Sequence, residues 1–310
     1  MIRYLKNTDI DKNAWDDCIV HSANGLMYGL SWYLDATSPG WDALILDDYV
    51  AVMPLTWKKR YGIRYLVQPP FNQQLGVFFR KNVKVNTADF LRAIPGKFLH
   101  LRICLNYANT IQNKSYRMIT RDNYELSLGK SYEELASNFS GSHKKNIKRA
   151  KNQKITIVKT EKSEDIIRFF KESHKTIFSL PENYYTVLNR INRTAVRNNS
   201  AIQFLARTDE NEIVAALYLL KALNRYVLLL TPTNMKGKKS RALFLLFDHF
   251  FSEYCRNDAV LDFEGSSIES VADFFKGFGA AKKTYLFIKK TPVRFLKDIL
   301  LYTFKKRRIT

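Results

Sequence analysis

Residues 225–289 constrain the fold more than any other stretch, because predicted strands and helices alternate there. The apolar run RYVLLLT starts at Arg225 and stops at Pro232, which is typical of a buried strand. Apolar residues then recur at spacings of three and four over 243–254, which predicts a helix with one buried face. AVLDF (259–263) follows as a second strand, and EGSS and YLFIK predict a further helix and strand. A helix between two strands favours a parallel pair, and such folds bind ligands at the carboxyl ends of their strands.

A basic loop, PTNMKGKKS, lies between the first strand and its helix. It contains Lys236, Gly237, Lys238 and Lys239, and Ser240 is predicted to cap the helix that follows. A helix N-terminus attracts anions through its free N–H groups and its dipole, and glycine lets the backbone approach a phosphate. The loop is therefore a candidate anion site. The alternative is a solvated basic loop with a glycine turn.

The chain has 310 residues and a formal net charge of +21. This charge favours an anionic partner such as nucleic acid, a phosphorylated ligand or a membrane surface. No apolar run approaches the roughly 20 residues that span a bilayer, and the charged start is unlike a signal peptide, so we expect a cytoplasmic protein. Three scattered cysteines indicate neither a disulfide framework nor a zinc site, and the five histidines show no metal-ligand spacing.

Two segments concentrate the positive charge. Residues 141–160 contain no acid and predict a basic helix with Ile147 and Ala150 on its apolar side. Residues 291–310 are predicted to form a basic C-terminal helix. This helix could pack back on the protein or make a peripheral contact with an anionic membrane.

Three consecutive amides interrupt the N-terminal half. Pro69 and Pro70 end the strand GIRYLVQ, and Asn72, Gln73 and Gln74 follow before LGVFF resumes extended structure. Amide groups both donate and accept hydrogen bonds, which suits them to holding a polar acceptor substrate. The alternative is an ordinary loop whose amides satisfy buried backbone groups.

The second half reads β, α, α, β, β, β, α, β, α, β, and this order is similar to the GNAT fold. RDNYELSLGKSYEELASNFSGSHKKNIKRAKNQKITIV, LDFEGSS and FFKGFGAAKKTYLFIKK resemble the Fem-type branch, which joins two GNAT-like domains in tandem. PPFNQQLGVF looks like the acceptor-side loop of these relatives. The resemblance implies an α/β (α+β) fold with mixed sheets flanked by helices. It implies a GNAT-like domain at 1–139, a second with the donor loop at 140–290, and the basic helix at 291–310.

The Fem-type branch includes peptidoglycan aminoacyltransferases and acetyltransferase-like bacterial proteins. The resemblance therefore implies transfer of an acyl group from acyl-CoA or aminoacyl-tRNA to an amine, with a cell-envelope or glycan precursor as the acceptor. It places an oxyanion site at backbone N–H groups of residues 230–233. No permanently bound cofactor is expected. The donor-binding residues implied are Leu230, Thr231, Asn234, Lys236, Gly237, Lys238, Lys239, Ser240 and Arg241.

Acyl transfer to an amine also needs a base and two positioned substrates. Glu264 directly follows AVLDF and is our candidate base or amine ligand, with Tyr285 as candidate acid and Ser266 on the acceptor side. The alternatives are helix capping for Glu264 and Ser266 and core packing for Tyr285.

Two other functions stay open on sequence grounds. Ordinary GNAT enzymes hold pyrophosphate with a Gln/Arg-x-x-Gly-x-Gly/Ala loop, whereas Asn234 and Lys239 occupy its outer positions here. The helical-hairpin insertion of some Fem enzymes has no counterpart. A tRNA- or nucleic-acid-binding module, supported by the charge, and a GNAT-like protein that binds without catalysis are therefore the alternatives.

Overall fold

The structure, a computed structural model, describes residues 1–112, 115–174, 180–266 and 268–290. Contacts divide them into two compact units. Unit 1 comprises Met1–Arg121 and residues 284–290, and unit 2 comprises Asp122–Lys283. The division expected between residues 139 and 140 stays a prediction, and the expected helix at 291–310 lies outside the described residues.

The observed elements largely follow the predicted order, with an additional first strand that the residue pattern did not reveal. The first elements are β1 (Ile2–Leu5), α1 (Lys12–Val20), α2 (Ser31–Thr37), β2 (Asp42–Leu46), β3 (Ala51–Leu55), β4 (Trp57–Arg60), β5 (Ile63–Val67), β6 (Phe78–Phe79), α3 (Thr87–Ala93) and β7 (Phe98–Cys104). Next come β8 (Arg117–Ser127), α4 (Tyr132–Ser137), α5 (Gly141–Lys151), β9 (Ile155–Lys159), α6 (Ser163–His174), α7 (Glu182–Arg197), β10 (Ala201–Thr208), β11 (Ile213–Ala222) and β12 (Arg225–Leu230). The last are α8 (Met235–Ser240), α9 (Ala242–Tyr254), β13 (Val260–Asp262), α10 (Glu269–Gly277) and β14 (Ala281–Lys290).

Unit 1 contains two sheet regions. One has the order β1-β2-β3-β6, and the other runs β4-β5-β7-β14. The β2–β3 pair is an antiparallel hairpin whose turn contains Asp47 and Asp48. The apolar core of unit 1 includes Leu44, Met53 and Phe90, each nearly inaccessible to solvent.

Unit 2 is built on a sheet with the order β8-β13-β12-β11-β10-β9. The predicted parallel pairing of β12 with β13 is confirmed, running from Arg225 opposite Val260 to Val227 opposite Asp262. The other pairings of this sheet are antiparallel.

Helices cover both faces of the unit 2 sheet. Phe204 of β10 contacts Tyr254 of α9, whereas the neighbouring Gln203 donates a hydrogen bond to Ser163 of α6 at 2.7 Å. Successive strand residues point to opposite faces, so α6 lies on the face away from α9. The α9 face carries the aromatic core of the unit, to which α10 also contributes.

Local sequence signals determine two helices of unit 2. Ser131 and Glu134 form a capping box at the start of α4. In the basic helix α5, Ile147 and Ala150 are buried as expected, together with His143.

Candidate functional site

The parallel strands β12 and β13 part at their carboxyl ends. Their pairing ends at Val227 and Asp262, whereas β12 continues to Leu230 beside β11. The chain after β13 instead stays beside β8, because the N–H of Phe263 donates to the carbonyl of Tyr124 at 2.9 Å. The carboxyl ends of the two strands therefore border an opening, which we call the β12/β13 opening.

A β-bulge lies at this opening. Leu228 pairs with Leu219 of β11, but the next pair joins Leu230 to Tyr218, so Leu229 is an extra residue in β12. A bulge leaves its extra residue outside the regular hydrogen-bond ladder and bends the strand. The bulge directly precedes residues 230–233, where the oxyanion site is expected, and Pro232 has no N–H group to contribute. The oxyanion role of these residues stays a prediction.

Glu264 lies directly after β13, where the strands part. Its φ of 60° is in the left-handed region, which is uncommon for a residue with a side chain. Its N–H donates to Asp262 Oδ1 at 2.9 Å, and its carbonyl accepts the N–H of Tyr124 at 3.3 Å. The backbone of the candidate base is thus fixed from two sides.

A buried ion cluster underlies Glu264. The Arg225 guanidinium donates to Asp262 Oδ2 at 3.0 Å and also to Glu125 Oε1. Asp262 is fully buried, and the side chains of Arg225 and Glu125 are 13% and 17% exposed. Burial lowers the pKa of Arg225, but attraction to the two carboxylates outweighs it, so the net shift is upward. Asn123 also donates to Glu125 Oε1, at 3.2 Å.

Sequence reasoning missed Arg225 and Glu125 as parts of this region. They come from strands that are 100 residues apart in the chain, and their adjacency depends on the order β8-β13-β12. One signal was available: Arg225 and Asp262 are charged residues in otherwise apolar runs, RYVLLLT and AVLDF. Charges in buried strands are rarely left without a partner.

The predicted donor loop is mostly helical, which corrects the sequence interpretation. Residues 235–240 form α8, and the side chain of Asn234 caps it by accepting the Gly237 N–H at 2.9 Å. Ser240 therefore ends α8 and does not cap α9. Between the two helices stands Arg241, in the left-handed conformation at φ 61°.

Gly237 packs against β11, which is a structural role. A Cβ at this position would lie 2.1 Å from the Val214 carbonyl oxygen. Lys236 pairs with Glu212, while Lys238, Lys239 and Arg241 are exposed. The exposed cations are thus at the C-terminal end of α8. Leu230 is buried and Thr231 is half-buried beside the opening.

The predicted acceptor amides lie in unit 1 and are largely engaged within it. Gln74 is buried, accepts the Tyr107 N–H at 2.9 Å and donates to Gln73 Oε1 at 2.9 Å. Asn72 is also buried and donates to Thr37 Oγ1 at 3.1 Å, while its own Oδ1 has no hydrogen-bond partner within the described structure. The side chain of Gln74 thus stabilises the backbone, as the alternative interpretation expected. The acceptor role of Asn72, Gln73 and Gln74 stays a prediction.

The other two predicted site residues occupy different units. Ser266 Oγ accepts the Ile268 N–H at 3.0 Å, just before α10 in unit 2. Tyr285 is half-buried in β14 and belongs to unit 1. Within unit 2, Leu230 and Glu264 follow Val227 and Asp262, the last paired residues of β12 and β13.

A separate cavity of about 390 Å³ lies in unit 2, between the end of α5 and the turn that joins β10 to β11. It is lined by side chains of both signs, including Lys154, Asp209, Glu210 and Lys236. Lys154 and Asp209 are 3.5 Å apart, so part of this charge is paired. Glu264 is not among the lining residues.

Searches for other chemistry gave two findings. Across the described ranges, no group of three or more His, Cys, Asp or Glu residues could hold a metal ion. None of the helices in the same ranges is long and apolar enough to cross a membrane.

Mixed sheets flanked by helices, with parallel strands that part beside a bulge, define a tandem GNAT fold. Comparison with solved structures supports this class: FemX matches with a TM-score of 0.68 at 12% identity, covering 96% of this chain and 99% of its own. The C-terminal domain (DUF2156) of a putative lysylphosphatidylglycerol synthetase from Agrobacterium fabrum matches at 0.56 and 9% identity, covering 94% and 96%. A tandem GNAT protein from the clavulanic acid biosynthesis pathway matches at 0.55 and 9% identity, covering 93% and 98%.

No protein-family model and no curated protein matches the sequence. The structural matches confirm the predicted fold class, and the resemblance to Fem-type tandem GNAT proteins holds at the level of the fold.

Proposed function

We propose that the chain is an acyltransferase of the GNAT/Fem type, which transfers an acyl or aminoacyl group from an activated donor to an amine. One observation carries the proposal: the bulge at Leu229 and the carboxylate-bearing residue Glu264 both border the β12/β13 opening. Backbone donors and a carboxylate at one site are what acyl transfer to an amine requires.

The proposed reaction uses these groups in one sequence. The amine nitrogen attacks the acyl carbonyl, a C–N bond forms, and Glu264 accepts the proton that the nitrogen loses. Backbone N–H groups within residues 230–233 stabilise the negative oxygen of the tetrahedral intermediate. The bond between the acyl carbon and the leaving group then breaks, and the thiolate or alkoxide takes a proton from solvent.

Two donor classes fit this proposal. The clavulanic acid protein is described in relation to acetyl-CoA, and the synthetase is named for lysylphosphatidylglycerol. Either an acyl-CoA or an aminoacyl-tRNA brings phosphates, which the exposed Lys238, Lys239 and Arg241 could contact. The acceptor would then be an amine on a cell-envelope or glycan precursor, and Ser266 is the candidate acceptor-side residue of unit 2.

Thermal-shift titrations with acetyl-CoA, longer acyl-CoAs and aminoacyl-tRNA test the donor. A bound donor should raise the unfolding temperature in proportion to its saturation. The double variant Lys238→Ala with Lys239→Ala should weaken this effect, because it removes two cations near the donor phosphates. If the shift were the same in that variant, the role of these two lysines would be refuted.

The donor that binds then serves to test catalysis. Glu264→Gln should lower the transfer rate by about 100-fold or more, since it removes the base. Glu269→Gln is the matched control, because Glu269 is an exposed carboxylate in the first turn of α10. Equal rates in wild type and Glu264→Gln would refute the assignment of the base.

The charge of +21 supports one alternative, a tRNA-binding module without catalysis. Under that alternative, tRNA binding weakens steeply with salt and survives both the lysine changes and Glu264→Gln. No acyl or aminoacyl transfer accompanies it.

A further inference from the structure

Asp262 connects two parts of the region below Glu264. Its Oδ1 accepts the Glu264 N–H at 2.9 Å, and its Oδ2 accepts from Arg225 Nη2 at 3.0 Å. The carboxylate is fully buried, so both of its oxygens are committed to these partners without competition from bulk water.

The first contact, between Asp262 Oδ1 and the Glu264 N–H, fixes the backbone conformation of Glu264. A side-chain oxygen that accepts an N–H two residues later forms an Asx-turn, which stabilises a change of chain direction. Glu264 needs this help because the left-handed conformation is unfavourable for a residue with a Cβ. Because of this turn, the side chain of Glu264 does not follow the alternation of side chains along β13. The turn lies where β12 and β13 separate.

The second contact, with Arg225, fixes the position of the Asp262 carboxylate. Arg225 projects from the start of β12 and binds carboxylates on the next two strands of the sheet, Asp262 of β13 and Glu125 of β8. The planar guanidinium donates in fixed directions, which lysine does not reproduce. Arg225 therefore ties the end of β13 to the strand from which it separates.

We infer that Asp262 and Arg225 are positioning residues for the proposed reaction, holding Glu264 at the β12/β13 opening. The inference rests on the proposed function and adds to it the residues that fix the base. They act through Glu264, since Asp262 is closed to solvent.

The same groups set the electric field at Glu264. Arg225 carries one positive charge and its two carboxylate partners carry two negative ones, which leaves an excess of one negative charge. On α10, Lys276 lies 5.9 Å from the Tyr124 ring but pairs with Asp273 at 3.0 Å. The ion cluster therefore contributes net negative charge beneath Glu264.

A first test measures hydrogen exchange of the Glu264 amide by mass spectrometry of short peptides, without any substrate. Asp262→Ala removes the acceptor, so exchange should become at least about 10-fold faster, whereas Asp262→Asn retains an acceptor oxygen and should keep most of the protection. Asp273→Asn is the control and should exchange like wild type. Circular dichroism establishes that each variant is folded. Unchanged exchange in folded Asp262→Ala would overturn the inference.

A second test uses the pH–rate profile of transfer, with the donor identified above and glycinamide as the amine probe. Asp262→Asn removes one negative charge, so the acidic limb should move down by about one pH unit. Arg225→Met removes the positive charge, so the limb should move up by a similar amount. If the two substitutions only disrupted the structure, both variants would have lower rates, but their acidic limbs would not move in opposite directions. That result would overturn the inference.

The two tests separate the possible failures. If wild type transferred nothing from any donor, the proposed function would fail, and the inferred role in catalysis with it, while the exchange experiment would still report the geometry. If Glu264→Gln abolished transfer but the exchange and the pH profiles stayed unchanged in the variants, only the positioning role would fail.

Discussion

Removing the Arg225 guanidinium should destabilise unit 2 strongly. Arg225→Met keeps much of the side-chain volume but leaves two carboxylates facing each other without their cation. At 3.0 Å and an effective dielectric constant of about 20, the attraction between Arg225 and Asp262 is about 5 kcal/mol. Desolvation of the guanidinium offsets part of this, so we expect a net loss of about 3–5 kcal/mol, as is usual when one partner of a buried pair is removed.

Urea denaturation followed by circular dichroism measures this loss as a lower midpoint at unchanged slope. Lys282→Met is the matched control, because Lys282 pairs with Asp122 at 2.8 Å but is 54% exposed. An exposed pair contributes about 0–1 kcal/mol. A loss from Arg225→Met no larger than that of the control would refute the reasoning.

A second substitution tests whether unpaired carboxylates cause this loss. Adding Asp262→Asn to Arg225→Met should restore part of the stability, because one buried charge disappears with its partner. A double variant no more stable than Arg225→Met alone would argue against an uncompensated carboxylate.

Two further predictions concern the packing of unit 2. Gly237→Ala should lower the free energy of unfolding by about 2 kcal/mol or more in thermal unfolding, because its Cβ would collide with the Val214 carbonyl. The control is Gly141→Ala, where a Cβ meets nothing within 4 Å, and it should be neutral or slightly stabilising. Equal effects of the two substitutions would contradict the packing. His143 is buried with its Nε2 at 2.9 Å from the Phe274 carbonyl, and burial lowers its pKa despite that contact. The unfolded state therefore binds the proton more readily, so urea stability should fall as pH drops below about 6.5, and His143→Gln should lose this dependence; a wild-type stability that rose over this range would refute the reasoning.

Local patterns predicted the framework of unit 2 because its elements depend on nearby residues. The apolar runs at β12 and β13 and the helix between them determine a parallel pair, and Ser131 with Glu134 determines the start of α4. These signals depend on neighbours within a few residues. They remain visible without knowledge of the fold.

The parts that were missed depend on tertiary contacts. Lysines and a glycine at 236–239 look like a loop, yet Asn234 caps a helix there and Gly237 fits against β11. Leu229 becomes a bulge because of its pairing with β11, which an apolar run does not reveal. In the sequence, Arg225 is the first residue of a predicted strand. Its contacts with Asp262 and Glu125 depend on the order of the strands in the sheet.

The proposed reaction places the acyl donor at the β12/β13 opening. Hydrogen exchange of the wild-type protein, with and without the donor that gives the largest thermal shift, tests this placement. The donor should slow exchange in residues 228–231 and 263–266. Protection confined to residues 152–155 and 208–210, which line the separate cavity, would contradict it.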